Sequence, residues 1–216
     1  MKYYKYQLNM TLLNFLCVFL FFPLFVIMYL LDLSFDFSFL IFYFLWMFLH
    51  EFLHGFGFII NKGINRKNVV YGACLEKGIL YCMCKQKIGK KCIMISSILP
   101  FFLIGIFTFF LGMIFNNKLL ELLSLFNIVG SVGDLVMFFD FLRLPDFLYT
   151  DLDDCTGFVL ISDCDLSKYN LFGMKLIDCG DDFGEPKFFS KFNFSKFSII
   201  VFIVLIVALV VNLFFF

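Results

Sequence analysis

Five long apolar runs restrict what this chain can fold into more than any other feature. Residues 11–31 carry no charge, and about 20 such residues are enough for a helix to span a bilayer. Similar runs follow at about 37–60, 93–115, 119–144 and 197–216. Composition closes off the soluble alternative. The chain is 62% hydrophobic with 37 phenylalanines, and its mean hydropathy is +0.96. A soluble domain of 216 residues has too little interior to hide that much apolar surface. The expected fold class is therefore an all-α polytopic membrane protein of about five transmembrane helices. A small cytosolic β-hairpin and a short cytosolic α/β or irregular segment complete it. Residues 1–144 form the membrane-embedded core, 145–196 a cytosolic segment and 197–216 a C-terminal transmembrane helix.

The net charge of zero conceals an asymmetry. Cationic residues on the cytosolic side orient a membrane protein. With the N-terminus in the cytosol, segments 1–10, 61–92 and 143–196 lie inside and hold every one of the 17 Lys and Arg except Lys118. The C-terminus is then external, and the location is the cell membrane, multi-pass. The run at 11–31 is too long for a signal-peptide core and lacks a small-residue cleavage site, so it reads as an anchor, with Pro23 as a candidate kink.

The loop at 61–92 has strand character at Val69-Val70-Tyr71 and Ile79–Met83, with a turn at Glu76-Lys77-Gly78 between them. A β-hairpin beside the membrane is expected, with a plain connecting loop as the competing reading. Among the eight cysteines, Cys82-Met83-Cys84 is a CxC pair, and Cys74 and Cys92 are too irregularly spaced to complete a recognised metal site. Buried thiols acting as small apolar groups are the better reading, and reduced thiols suit a cytosolic location. Nothing resembles a basic, aromatic nucleic-acid surface.

The chemistry concentrates in His50-Glu51-Phe52-Leu53-His54, which contains the only two histidines. On a helix, positions four apart share a face, so both imidazoles can reach one ion. Glu51 stands beside them as a base. This is the HExxH arrangement of zinc hydrolases. A pair of interfacial histidines without a ligand competes, but ionisable groups inside an apolar run are costly and functional by default. A third ligand is needed. Counted at 1.5 Å per residue, His50 and Asp134 lie about 20–22 Å below the outer side of their spans, at one depth. Glu121 lies too near the outer end of its span, and Asp140 near the inner end, where Arg143 offers it an interfacial pairing. Asn127, Ser131 and Asp134 share a helical face beside Gly130 and Gly133, which permit close approach or local unwinding. A helix–helix hydrogen bond is the other role open to Asp134. Three protein ligands leave the fourth tetrahedral position to water, which zinc acidifies and Glu51 deprotonates. Asn127 is the candidate donor to the oxyanion.

His50–Gly55, the Asn127-Ile-Val-Gly-Ser-Val-Gly-Asp134 stretch, Arg143-Leu-Pro145 and Asp151 to Gly157 together resemble the bacterial putative zincin peptidase family, long labelled a domain of unknown function. The resemblance implies a membrane-embedded metalloprotease similar to site-2 proteases. There, two motif histidines and a distant aspartate bind zinc, and the motif glutamate is the base. Carried over, these are His50, His54, Asp134 and Glu51. The site-2 pattern has an Asn-Pro motif ending in Leu-Asp-Gly, whereas this chain has no proline there and Gly133 precedes Asp134.

The expected function is an integral membrane zinc metalloendopeptidase that cuts a membrane-associated protein or peptide near the cytosolic face, with the 69–84 hairpin pairing to an extended substrate. A non-proteolytic metal-binding regulatory or scaffold protein is the alternative, and Glu51 separates the two, since a binder needs no base.

Overall fold

The computed structural model describes residues 1–34, 37–61, 63–74, 79–151, 157–172 and 174–180. The expected turn at 76–78 and the fifth run at 197–216 lie outside the described residues.

Uncharged sequence makes the helices, and polar caps end them. In α1 (Met10–Leu30) the Asn9 side chain caps the start by accepting from the Leu12 N–H at 3.2 Å. The next helix, α2 (Phe37–Ile60), is unbroken. The third run is α3 (Lys90–Pro100), a π-helical stretch at Phe101–Phe107 and α4 (Thr108–Phe115). A left-handed Asn116 closes α4, and Asn117 caps α5 (Lys118–Gly130) through the Leu120 N–H. After Ser131 the chain continues as α6 (Val132–Arg143). Three helical stretches are long and apolar enough to cross a membrane: Thr11–Leu30, Phe39–Ile60 and Lys90–Phe115. The pair α5/α6, bent by 46°, makes a fourth if it is one span. The bend falls within the run expected to make one span over about 119–144, beside Gly130 and Gly133.

Exposure follows the membrane reading. On α1, Phe15, Phe19, Phe22 and Phe25 point outward, where lipid is as good a solvent for them as a protein core. Inward, Trp46, Leu49 and Leu53 of α2 pack with Leu24 and Met28 of α1 and with Leu120, Leu123 and Val129 of α5.

The chain holds more strand than expected of an all-α protein, though it remains mostly helical. A two-stranded hairpin joins β2 (Val69–Cys74) to β3 (Ile79–Cys84), with Tyr71 opposite Cys82, as the strand pattern of those residues predicts. A second, antiparallel sheet has five strands: β1 (Lys2–Leu8), β4 (Ile88–Gly89), β5 (Leu148–Asp151), β6 (Gly157–Ser162) and β7 (Met174–Asp178). Their order is β4-β5-β6-β1-β7. The first strand sits between β6 and β7, with Tyr4 opposite Leu160 and Tyr6 opposite Phe158. Alternation explains it: Tyr4 and Tyr6 face inward at 0% exposure, and Lys5 faces the other way. Tyr6 stacks on Phe158 at 4.2 Å and meets Phe141 of α6 at 5.5 Å, which docks the sheet on the end of that helix.

This sheet draws strands from all three cation-bearing segments. They therefore lie on one side of any membrane the helices cross, so the chain crosses an even number of times between them. Helices α1 and α2 separate β1 from β4. The α3–α4 run and the bent pair α5/α6 separate β4 from β5, which fits the pair being one span.

Candidate metal centre

The site forms where α2 meets the breaks in its neighbours. Helical spacing puts His50 and His54 on one face, with ring centroids 4.8 Å apart. Each ring is fixed through Nδ1. His50 Nδ1 lies 2.8 Å from Asn127 Oδ1 on α5, and His54 Nδ1 lies 2.8 Å from the Ser96 carbonyl on α3. Both partners accept, so both Nδ1 atoms carry a proton, and in the neutral ring each Nε2 is left with a lone pair. The orientation of the Asn127 amide is itself determined, because its Nδ2 donates to Pro100 O at 3.2 Å and to Ser131 Oγ at 3.4 Å.

The two Nε2 atoms face each other at 3.1 Å. Asp134, in the first turn of α6, brings Oδ2 to 3.2 Å from His50 Nε2 and Oδ1 to 3.6 Å from His54 Nε2. Two imidazole nitrogens and a carboxylate thus converge, and with both rings neutral no hydrogen lies between them, an arrangement that a cation would stabilise. The spacing fits zinc. Ligand atoms on a tetrahedral ion with bonds of about 2.0–2.1 Å are separated by about 3.3–3.4 Å. Glu51 also offers an oxygen within 4.8 Å of the histidine nitrogens. Asp134 is the carboxylate within ion-pair distance of both imidazoles.

Two glycines let the neighbours come this close. A Cβ on Gly57 would stand 2.5 Å from Ser96 Cα, and one on Gly55 would overlap the Tyr71 hydroxyl at 2.0 Å. The first contact sets α3 against α2, so that the Ser96 carbonyl reaches His54. The second seats the hairpin on α2, where Tyr71 donates to Phe52 O at 3.4 Å.

A cavity of about 240 Å³ opens beside the histidines. His50, Glu51 and Asn127 line one part of it, Tyr43 and Phe126 another, and Leu80 brings β3 to its rim.

The sequence reading meets one correction here. Asn127 was expected to donate to an oxyanion, but both Nδ2 hydrogens are committed to Pro100 and Ser131, and its oxygen holds His50. It orients a histidine. Asp140 is 0% exposed. Its Oδ2 accepts from the Tyr6 hydroxyl at 3.5 Å and its Oδ1 from the Phe172 N–H at 2.6 Å. Glu121 lies away from the histidines, 3.7 Å from Lys118. Cys84 and Cys92 pack in the core cluster under the sheet, and burial pushes the Cys84 thiol up to about 11. The Ser96 and Pro100 carbonyls went unnoticed in the sequence, because backbone groups carry no residue signature.

Apolar helices that can cross a membrane, with a His-Glu-Phe-Leu-His stretch meeting a distant aspartate inside them, define a membrane protein with a metallohydrolase-like centre. Residues 43–149 match the model of the family described as putative zincin peptidase, and over that stretch the chain belongs to this family. Membership implies a zinc metallopeptidase, and the matched stretch contains His50, Glu51, His54, Asn127 and Asp134. No curated protein and no solved structure matches the chain.

Proposed function

We propose that the protein is an integral membrane zinc metalloendopeptidase, with His50, His54 and Asp134 as ligands and Glu51 as general base. The observation that carries this reading is the convergence of two histidine Nε2 atoms and the Asp134 carboxylate at 3.1–3.6 Å, with Glu51 lining the adjoining cavity. Zinc, when bound, supplies Lewis acidity, polarising a peptide carbonyl and acidifying water. Glu51 takes the proton of the attacking water and returns it to the leaving amine. Asn127 and Ser96 hold a proton on each Nδ1, and in the neutral ring that leaves Nε2 free.

The substrate is a membrane-associated protein or peptide cut near the cytosolic face. A peptide must be extended to be cleaved. Strand β3 runs past the cavity rim at Leu80 and offers an edge along which such a segment can pair. The cationic segments favour the cytosol as the side that carries the hairpin and the sheet, which makes the cell membrane the location.

The test is a cleavage assay in detergent. Zinc-loaded protein is incubated with a mixture of unstructured, apolar peptides, and new termini are read by mass spectrometry. Wild-type protein should produce them. Glu51→Gln should retain zinc and lose turnover by about 10²–10⁴-fold, the usual contribution of a positioned base. A Glu51→Gln protein as active as wild type would reject the base, and an inactive wild type with bound zinc would favour a non-proteolytic metal protein.

A further inference from the structure

Pro100 is fully buried, on the third apolar run, at the point where α3 gives way to the π-helical stretch. Proline has no backbone N–H. In an α-helix the residue at 100 would donate to the carbonyl four positions earlier, that of Ser96. That donor does not exist, and the Phe101 N–H turns to Ile98 O instead. The Ser96 carbonyl is the group that accepts from His54 Nδ1 at 2.8 Å. The carbonyl of Pro100 itself accepts from Asn127 Nδ2 at 3.2 Å, and Asn127 in turn holds His50 Nδ1 at 2.8 Å. One residue in a helix that contributes no side chain to the centre thus bears on both imidazoles. The packing agrees: α3 is pressed onto α2 at this level, with Ser96 Oγ donating to the His54 carbonyl at 2.7 Å.

We infer that Pro100 is a positioning residue for both histidines of the centre, withholding the N–H that would occupy the Ser96 carbonyl and lending its own carbonyl to Asn127. This rests on the zinc reading above and adds a cause for the histidine tautomers on which that reading depends. A proline that only bends the helix would influence shape and stability. A proline that keeps a carbonyl open influences metal affinity separately from stability, and in the opposite direction. Alanine at 100 favours the helix and restores the N–H, which then competes with His54 for the Ser96 carbonyl.

The experiment compares wild type, Pro100→Ala and Pro23→Ala in detergent, measuring zinc affinity by chelator competition and thermal stability of the metal-free protein. Pro23 also lies inside a helix, α1, and controls for restoring an N–H in a membrane helix. Pro100→Ala should melt no lower than wild type and bind zinc about 10–100-fold more weakly, the usual effect of losing a group that orients a metal-bound histidine. Pro23→Ala should bind zinc like wild type. Equal affinity in Pro100→Ala, or an equal loss in Pro23→Ala, overturns the inference. If Pro100→Ala does not fold, the wild type still decides. With two histidines in the chain, nitrogen-15 histidine labelling resolves each ring nitrogen. Both Nδ1 atoms should carry a proton, and a His54 whose Nδ1 lacks one overturns the inference. Failure of the zinc reading looks different: wild type then takes up no zinc, while the tautomers of the metal-free protein still test the part assigned to Pro100.

Discussion

The two ends of α6 carry two aspartates with opposite surroundings, one partly buried and one fully buried. Asp134, at the start, faces the Nε2 atoms of His50 and His54, whose protons sit on the far side of each ring. Asp140, six residues on, faces a tyrosine hydroxyl and a backbone N–H, both donors. Hydrogen bonds meet the needs of the second carboxylate, and it ties the helix to the sheet. The first faces imidazole nitrogens, which with both rings neutral offer it lone pairs, and a cation among them would meet its charge. Two carboxylates on one helix, both in a costly apolar setting, are thus told apart by what their neighbours can donate.

The comparison breaks most sharply under substitution at both ends. Asp134→Asn should weaken zinc binding by more than the about 10–100-fold that follows loss of an orienting partner, because it removes a ligand charge. Asp140→Ala should leave zinc affinity unchanged and lower stability by about 1–3 kcal/mol, since it strands the Tyr6 hydroxyl and the Phe172 N–H. Chelator competition and thermal melts in detergent separate the two. An Asp140 variant that lost zinc while its melting point held would erase the distinction.

A third aspartate, partly buried, sharpens the same point through pH. Asp151 on β5 accepts from the Tyr149 hydroxyl and from the Cys84 N–H at 3.0 Å, joining the sheet to the hairpin. Burial nevertheless dominates and lifts its carboxyl to about 6. The unfolded chain would ionise it near about 3.9. The folded protein therefore holds a proton between those values that the unfolded chain has released. This group's contribution to stability is complete below about pH 4 and declines as pH rises toward 6. Relative to Asp151→Asn, wild type should gain melting temperature between pH 7 and pH 4.5. A gap that stays constant over that window would show that Asp151 does not titrate as described.

Much of the centre was legible in the sequence because ionisable groups in apolar runs are few. Two histidines four apart and one aspartate at matching depth were enough to bring together on paper the residues that lie close in the fold. The hairpin was legible too, since Val69-Val70-Tyr71 and Ile79–Met83 alternate locally. Strand β1 was not. Lys2, Tyr4 and Tyr6 look like the flank of a membrane anchor until Leu160 and Phe158 arrive from the far end of the chain, and no local pattern reports such a pairing. The break at Ser131 was only half legible, because glycines permit unwinding without requiring it. The part played by Asn127 depends on the direction of its amide. Pro100 O sets that direction, and nothing in the neighbourhood of Asn127 in the sequence names Pro100.

Zinc K-edge X-ray absorption on the purified, zinc-loaded protein tests the central claim most directly. The account predicts one ion per chain with only nitrogen and oxygen neighbours at about 2.0–2.2 Å, two of them imidazoles. A sulfur shell at about 2.3 Å would move the metal to cysteine thiolates and contradict the assignment of His50, His54 and Asp134.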